Sequence, residues 1–324
     1  MKRKYGWVKE GPDPRDRVYN VATPVAGLPD SVDLRSKCPP VYDQGQLGSC
    51  VSNALAAAVD FDRLHQGFPL LNPSRLFIYY CARVLEHTTQ QDAGATVRDG
   101  IKVVVSDGAP PETDWPYAPA KLAVRPPGNV FQDAHKNLVS EYMRLPQTLP
   151  RLKTCLAQGF PFVFGMNVYE SFESDSVALT GIVPMPSNLE TYLGGHCVMA
   201  VGYSEDRQAF LVRNSWGTEW GLKGYFWLPY AYFLPTFTSD FWTLRSVRVP
   251  PNERSTTMKV VVQPITQPAP GQVLLSLLFQ DVDPAKAAKI TALAQTIQMA
   301  AADGVFTLSE DMMIGYALAM LFSR

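Results

Sequence analysis

The chain carries a cysteine that could act as a nucleophile. Cys50 lies at the start of the alanine-rich stretch SCVSNALAAAVDFDRL (49–64), which predicts a largely buried helix. Its sulfur would lie at the first helical turn, where unpaired N–H groups and the helix dipole favour a thiolate. The thiolate is the reactive form of cysteine, so this position suits nucleophilic catalysis.

A thiolate also needs an imidazole that holds its proton and returns it to the leaving group. Of the four histidines, His196 has the most suitable neighbours, because it follows Gly194 and Gly195 and opens the predicted strand HCVMAVGY. Two small residues leave room for a substrate backbone beside the ring. His196 is therefore the predicted general base and acid, and Gly195 is a predicted substrate contact.

Three further side chains complete the predicted site. Asn214 follows the predicted strand AFLVR, and its amide oxygen would orient the imidazole, with Trp216 covering that hydrogen bond. Gln44 shortly precedes Cys50, so its side-chain amide would point beside the Cys50 backbone N–H and stabilise an oxyanion. Each of these residue types alone is usually structural; their order along the chain is what indicates chemistry.

The elements that must position these residues differ between the two halves of the chain. Helices are predicted from near Pro73 through SRLFIYYCARVLE, and from Val97 to Ser106. Another helix is predicted from Leu149 to Gly159, and the second half is otherwise rich in short β-type runs. These runs are FPFVFGMNV, HCVMAVGYS, AFLVRNSW, GYFWLP and FWTLRSV. A helical half and a sheet half predict an α+β fold.

Residues 250–324 change character again, since a linker and strand lead into two alanine-rich stretches of helical pattern. We expect a mainly helical extension that caps the sheet half or mediates homodimerisation; the alternative is a separate module that binds a protein partner. The DGVFTLSED segment lacks the alternating ligands of an EF-hand, and no Cys/His spacing indicates zinc. No metal and no cofactor are expected.

The composition disfavours several classes of function. Hydrophobic residues make up 46% and charged residues 18% of the 324, as in a globular chain with a sizeable core. The formal net charge of -1 gives no global attraction to nucleic acid or to an anionic membrane. The most apolar run, Val273 to Phe279, is far shorter than the roughly 18 residues of a membrane helix. A soluble protein is expected.

The N-terminus and the cysteines bear on localisation. The basic start MKRKYGWVKE is not followed by the apolar stretch of a secretory signal, so the protein is expected to be cytoplasmic or exported without a Sec signal. Five cysteines are an odd and sparse set, unlike that of disulfide-stabilised secreted domains, and at least one thiol must stay free.

Three segments resemble the signature regions of papain-like (C1-type) cysteine peptidases. They are QGQLGSC (44–50), GGHCVMAVGY (194–203) and NSWGTEWGLKGY (214–225), and the last is highly specific. By position, the resemblance assigns the nucleophile to Cys50, the base and acid to His196, the orienting residue to Asn214 and the oxyanion donor to Gln44. It implies hydrolysis of peptide bonds in a peptide or protein substrate.

The resemblance also implies a two-lobed fold with the cleft between a helical lobe and a β-barrel lobe. Ala93 and Gly94 resemble the strip that hydrogen-bonds substrate backbone, and Gly165 lies near the wall of the pocket for the second residue before the cut. The implied organisation is a leader (1–27), a peptidase domain (28–249) with a helical lobe (about 50–135) and a barrel lobe (about 136–249 plus 28–43), and an extension (250–324).

The chain departs from the family pattern in three places. Leu47 stands where a disulfide cysteine is usual, and Val51 replaces the usual aromatic after the nucleophile, so the family's disulfide framework is expected to be lost. The leader leaves no room for a long helical propeptide and resembles the short leaders of bacterial enzymes. Its aromatic residues Tyr5 and Trp7 suggest a latch that packs across the cleft.

Two other classes of function remain open on the sequence. The same triad serves exopeptidases, isopeptidases and transglutaminases, although Asn214 disfavours the last, which usually use Asp. A binding scaffold on a retained peptidase fold is the second alternative. Intact Cys50, His196 and Asn214 disfavour it, because a scaffold needs none of them.

Overall fold

The computed structural model describes residues 4–19 and 27–248. Within these ranges the chain combines a group of helices with one antiparallel sheet, which confirms the predicted α+β class. The predicted extension over 250–324 lies outside the described residues. No helix in the described ranges is both long and apolar enough to span a membrane.

Six α-helices are described, and the three longest lie in the first half of the described chain. Their bounds are α1 Cys50–His65, α2 Arg75–Leu85, α3 Val97–Ser106, α4 Gly128–Ala134, α5 Leu149–Ala157 and α6 Asp175–Thr180. The side chains of Ser74 and Thr96 cap α2 and α3 by accepting backbone N–H bonds, as expected at helix N-termini. The helices predicted over α1, α2, α3 and α5 are confirmed.

Helix α1 is the central element of the helical part, and nearly all of its residues are buried. Its alanines keep the helix narrow, so it packs against α2 and α3 on one side and against strands of the sheet on the other. Gly100 lets α3 approach closely, because a Cβ there would lie 2.4 Å from Cδ1 of Leu55. The first turn of α1 is thereby held at the junction of helices and sheet.

Within the described residues, seven antiparallel strands form the sheet. Their bounds are β1 Ser31–Asp33, β2 Val139–Arg144, β3 Phe162–Tyr169, β4 Tyr192–Ser204, β5 Ala209–Arg213, β6 Tyr225–Pro229 and β7 Thr238–Val247. The order is β2-β7-β3-β4-β5-β6, and β1 pairs with the far end of β4. The β1 pairing places residues N-terminal to the helices in the sheet.

Three elements were not predicted from the sequence. Strand β2 has an irregular, mostly half-exposed pattern without a clear period of two, and its pairing with β7 contains register shifts. The helices α4 and α6 have 7 and 6 residues, which is too short for an apolar repeat of about 3.6 residues to be recognised in the sequence. All three depend on tertiary contacts more than on local sequence preference.

Candidate active site

Cys50 is the first residue of α1, and its side chain is fully buried. Burial raises the pKa of the thiol to about 11, while backbone N–H groups of Cys197, Gly6, Val51 and Cys50 itself act in the opposite direction. The N–H groups at the helix start are the expected partners of a thiolate. In this closed arrangement burial prevails, and the thiol is neutral at pH 7.

His196 and Asn214 are brought together by neighbouring strands. His196 lies within β4, Asn214 directly follows β5, and Nε2 of the imidazole is 2.8 Å from Oδ1 of the amide. The same Oδ1 accepts the backbone N–H of Ser215 at 2.8 Å. Because an amide oxygen can only accept, Nε2 must carry the hydrogen, which makes Nδ1 the ring atom able to take a proton.

Trp216 covers this pair from one side. Its ring lies 5.1 Å from the His196 ring, centroid to centroid, at an interplanar angle of 29°. Trp216 is itself held by edge contacts with Phe172 and Trp220. The apolar cover excludes water and strengthens the hydrogen bond to Asn214.

Gln44 is held in a fixed orientation in the loop before α1. Its Oε1 accepts the hydroxyl hydrogen of Ser215 at 2.7 Å, and its Nε2 donates to the carbonyl oxygen of Leu47 at 3.0 Å. Nε2 also donates to the carbonyl oxygen of Lys4 at 3.2 Å. The Gln44 amide therefore binds the carbonyl oxygen of Lys4 close to the first turn of α1, as an oxyanion donor would bind a substrate oxygen.

That carbonyl belongs to a segment that crosses the site. Residues 4–19, here called the N-terminal strap, run over the first turn of α1 and the edge of the sheet, with a turn at 14–16. The strap makes isolated parallel bridges at both ends of its course, from Trp7 to Ala95 and from Val18 to Arg144. It is thus anchored to the helical part and to the sheet.

The middle of the strap is bound through its backbone. Ala95 donates its N–H to the carbonyl of Gly6 at 2.8 Å and accepts the N–H of Val8 at 3.1 Å. On the opposite side, Trp7 donates its N–H to the carbonyl of Gly195 at 2.9 Å. These main-chain bonds do not depend on side-chain identity and would suit any extended peptide.

Glycines make this close approach possible. A Cβ on Gly94 would lie 2.2 Å from the carbonyl oxygen of Gly6, and one on Gly195 would lie 2.5 Å from that of Trp7. Gly94 also has a φ of +80°, which disfavours any residue with a side chain. The cleft is therefore lined by backbone on both sides.

The indole of Trp7 occupies a buried pocket of the sheet. A Cβ on Gly165 would lie 1.9 Å from Cε2 of the indole, so Gly165 forms a wall that only glycine permits. At the inner end, Nε1 of the indole donates to Oδ2 of Asp240 at 3.0 Å. Trp7 is 8% exposed and Asp240 is 2% exposed, so this hydrogen bond is shielded from water.

The strap continues to the other side of Cys50. The Tyr5 ring meets the His196 ring edge-on at a centroid distance of 6.0 Å and lies 6.3 Å from the Trp216 ring. The Lys4 ammonium pairs with Asp92 at 2.6 Å, and Asp92 also accepts the backbone N–H of Gly48 at 3.0 Å. An extended chain thus passes over the sulfur with contacts before and after it.

Acidic residues of the strap meet arginines of the body. Glu10 pairs with Arg98 at 2.8 Å, and Asp16 pairs with Arg98 at 2.8 Å and with Arg144 at 2.6 Å. Burial and the nearby Asp240 carboxylate raise the pKa of Glu10 to about 7, against the opposing effects of the Trp242 hydrogen bond and the two arginines. The pKa of Asp16 is lowered, because its bonds to the arginines outweigh burial, the largest single influence.

The structure adds two residues to the site that the sequence analysis did not single out. Ala95 makes both backbone hydrogen bonds to the strap on its side of the cleft. The neighbouring Gly94 lets the backbone of Gly6 approach closely, and Ala93 is exposed. Asp240 gave no local signal, because it stands inside an otherwise ordinary strand. The assignment of Ala93 to substrate binding stays a prediction, as do the catalytic roles.

All five cysteines lie in the described ranges and have free thiols. Leu47 is buried in the same hydrophobic core as Cys50, at the position where papain-like peptidases usually have a disulfide cysteine. The core here is consequently closed by apolar packing without a disulfide.

Comparisons with known proteins agree with this fold. The family model described as papain family cysteine protease matches residues 28–232. A peptidase C1-like protein of Acanthamoeba polyphaga mimivirus is 38% identical over 277 residues, covering 77% of this chain and 89% of the relative. Digestive cysteine proteinase 1 of Homarus americanus is 30% identical over 230 residues, covering 68% of this chain and 69% of the relative.

A solved structure shows the same similarity. The crystal structure of xylellain, a cysteine protease from Xylella fastidiosa, is 41% identical, with a TM-score of 0.71; the match covers 76% of this chain and 99% of that one. Fold and matched family define a cysteine-type peptidase, a hydrolase that acts on peptide or protein substrates. The chain belongs to the papain family of cysteine proteases.

Proposed function

We propose that the protein is an endopeptidase in which the Cys50 thiolate attacks the carbonyl carbon of a peptide bond. His196 takes the thiol proton through Nδ1 and gives it to the leaving amine, and Asn214 holds the ring through Nε2. Gln44 and the Cys50 backbone N–H stabilise the oxyanion. Water then hydrolyses the acyl-enzyme, with His196 as the base.

The course of the strap is the observation that carries the endopeptidase assignment. An extended chain lies over Cys50, with Tyr5 on one side of the sulfur and Trp7 and Val8 on the other. A cleft that accepts a chain continuing in both directions suits cleavage inside a polypeptide. An exopeptidase would instead need a group that closes one end of the cleft and binds a chain terminus.

We further propose that the strap is an inhibitory latch. It presents the backbone N–H of Gly6 to the sulfur, whereas cleavage requires a carbonyl carbon there. The strap therefore occupies the cleft without being a productive substrate. It also buries Cys50 and keeps the thiol neutral, so both access and nucleophilicity are low while it is bound.

Cleavage of a mixed peptide library at pH 7 with reductant tests both proposals. We expect the full chain to cleave slowly. Trp7→Ala should cleave at least about 10-fold faster, because truncating a buried tryptophan to alanine costs about 3 kcal/mol of packing and so weakens the latch. Cys50→Ala in the same background should abolish cleavage. Equal rates with and without Trp7→Ala would contradict the latch, and no cleavage by any folded, thiol-intact form would contradict the endopeptidase.

The remaining expectations concern origin. The similarity to a protease of Xylella fastidiosa supports a bacterial or bacterial-like source. An isopeptidase would use the same residues, and the peptide library distinguishes it, because an isopeptidase would leave unbranched peptides intact.

A further inference from the structure

We propose that Arg98 of α3 and Arg144 of β2, here called the arginine pair, form a binding site for an acidic side chain of the substrate. This side chain would belong to the stretch of substrate that precedes the cut. While the cleft is closed, the strap fills the site with its own carboxylates. The inference rests on the proposed peptidase function and on the latch, and it adds a substrate contact outside the pocket of Trp7.

The arginine pair holds the carboxylate of Asp16 with a defined geometry. Nε of Arg98 donates to Oδ1 at 3.0 Å, and Nη2 of Arg98 donates to Oδ2 at 2.8 Å. Nη1 of Arg144 donates to the same Oδ2 at 2.6 Å. Bidentate, charge-assisted bonds of this kind are the strongest that arginine makes to a carboxylate. The side chain of Asp16 is only 8% exposed, so the arginine pair binds an acidic group that is largely shielded from water.

Trp242 of β7 supports both arginines from below. The guanidinium carbons of Arg98 and Arg144 lie 5.9 and 5.8 Å from the centroid of its ring, within the range of a cation–π contact. The indole is 1% exposed, and its Nε1 donates to Oε1 of Glu10 at 2.9 Å. Because Trp242 belongs to the sheet, this support stays in place when the strap leaves.

Departure of the strap would leave these donors without acceptors. Within the described residues, every acceptor that Arg98 contacts belongs to the strap. Arg144 would keep one carboxylate of the body, Oδ1 of Asp240 at 3.7 Å. Two guanidinium groups would then share one acid, and the buried indole N–H of Trp242 would lose its acceptor. Buried donors without acceptors are unfavourable, so a ligand that supplies a carboxylate is preferred.

The place of the arginine pair along the strap indicates which part of a substrate reaches it. Trp7 fills the pocket whose wall is Gly165, which the resemblance assigns to the second residue before the cut. Glu10, which pairs with Arg98, follows Trp7 a short way along the strap. A substrate that leaves the pocket along the same course would bring roughly its fourth to sixth residue before the cut to the arginine pair.

Paired fluorogenic peptides test the proposal in an open variant, which is the full chain carrying Trp7→Ala, Glu10→Gln and Asp16→Asn. These changes remove the side chains with which the strap fills the pocket and the arginine pair. The peptides differ only in the fourth to sixth residues before the cut, which are Glu-Asp-Glu in one and Gln-Asn-Gln in the other. We expect KM to be about 10-fold lower for the acidic peptide, with kcat nearly equal, because the arginine pair lies away from the reacting atoms.

Matched variants assign the preference to the arginine pair. Arg98→Gln in the open variant should raise KM for the acidic peptide to the value for the amide peptide. Arg207→Gln, which removes the same charge from an exposed position, should leave the preference unchanged. Equal KM values for the two peptides in the open variant would overturn the proposal, as would a preference that Arg207→Gln removes as fully as Arg98→Gln.

Salt provides a test that does not depend on the folding of Arg98→Gln. Raising the NaCl concentration from about 20 mM to about 500 mM should reduce the preference of the open variant for the acidic peptide, because screening weakens attraction between charges. A preference that salt leaves unchanged would show that charge is not its cause and would overturn the proposal.

Binding measurements separate this proposal from the endopeptidase assignment. If neither peptide is cleaved, the endopeptidase assignment fails, but calorimetry with the open variant carrying Cys50→Ala still measures the affinity of both peptides. That protein should bind the acidic peptide about 10-fold more tightly than the amide peptide. Equal affinities, or no binding of either peptide, would show that the arginine pair serves only to hold the strap and would overturn the proposal.

Discussion

Oδ1 of Asn214 lies 2.8 Å from Nε2 of His196, and both groups are buried beneath Trp216. The amide holds the imidazole in one tautomer and one orientation, so that Nδ1 remains the basic atom. This bond links two strands that are neighbours in the sheet, β4 and β5. The pairing of β4 with β5 therefore sets the position of the proposed base, His196.

Asn214→Ala should therefore lower kcat by about 100-fold, because the ring loses its tautomer preference and its orientation. KM should change little, since Asn214 does not line the strap. Steady-state kinetics in the Trp7→Ala background measure both constants. Asn129→Ala, at an exposed position, is the control, and a kcat within a factor of about two of the control would contradict the orienting role.

Gly165→Ala should displace the strap, because the new Cβ would overlap Cε2 of Trp7. Overpacking of this kind costs about 1–3 kcal/mol, so the amide of Trp7, which donates to Gly195, should exchange its hydrogen about 10-fold faster or more. Hydrogen exchange followed by mass spectrometry of the strap measures this. Gly11→Ala is the matched control, since nothing lies within 4 Å of a Cβ there. Equal exchange in both variants would show that Gly165 does not form the wall of the pocket that holds Trp7.

The latch should weaken as the pH rises through the neutral range. The pKa of Glu10 is about 7 in the bound strap and about 4.3 in a free chain, so binding takes up a proton and is favoured at low pH. The groups that face Glu10 are Asp240, Trp242, Arg98 and Arg144, and Asp16 shares Arg98 with it. Release follows ionisation of Glu10 as the pH passes from about 5 to about 7.

The kcat/KM of the unsubstituted chain divided by the kcat/KM of Trp7→Ala isolates this effect, because the titration of the catalytic groups changes both values equally and cancels. The ratio should rise between pH 5 and pH 8. In Glu10→Gln, which cannot ionise, it should stay low and flat across that range. A ratio that rises equally with Gln at this position would assign the pH dependence to another group.

The buried carboxylate of Asp62 should lower the free energy of unfolding at neutral and basic pH. Its carboxylate is 1% exposed, and neither oxygen has a hydrogen-bond partner within the described ranges. Burial raises the pKa of Asp62 to about 8, with Arg245 opposing the shift and Glu141 adding to it. Because the folded state disfavours ionisation, the free energy of unfolding falls as the pH rises from about 4 towards 8.

Asp62→Asn removes the ionisable group and should raise Tm at pH 8 on the order of 5 °C, with a smaller difference at pH 4. Calorimetry at both pH values measures it. Asp206→Asn, whose carboxylate is exposed, should change Tm little at either pH. A gain from Asp62→Asn that is equal at pH 4 and pH 8 would show that ionisation of Asp62 is not the cause.

Local sequence was enough to predict the elements that depend on local preference. The alanine-rich stretch after Cys50 and the capped stretch from Val97 to Ser106 form the expected helices, because their periodicity and ends are properties of the segment itself. The signature around Asn214 likewise predicted the family and the candidate triad. Order along the chain is informative when the residue types are specific.

Only the tertiary structure revealed how the cleft is occupied and what lies at the end of its pocket. Trp7 and Asp240 are 233 positions apart, and no periodicity links them. Their contact depends on a bulge in β7, on the missing side chain of Gly165 and on the path of the strap, which are all products of long-range packing. The sequence determined which residues are chemically able to act; packing decided which of them meet, which are buried and which pKa values shift.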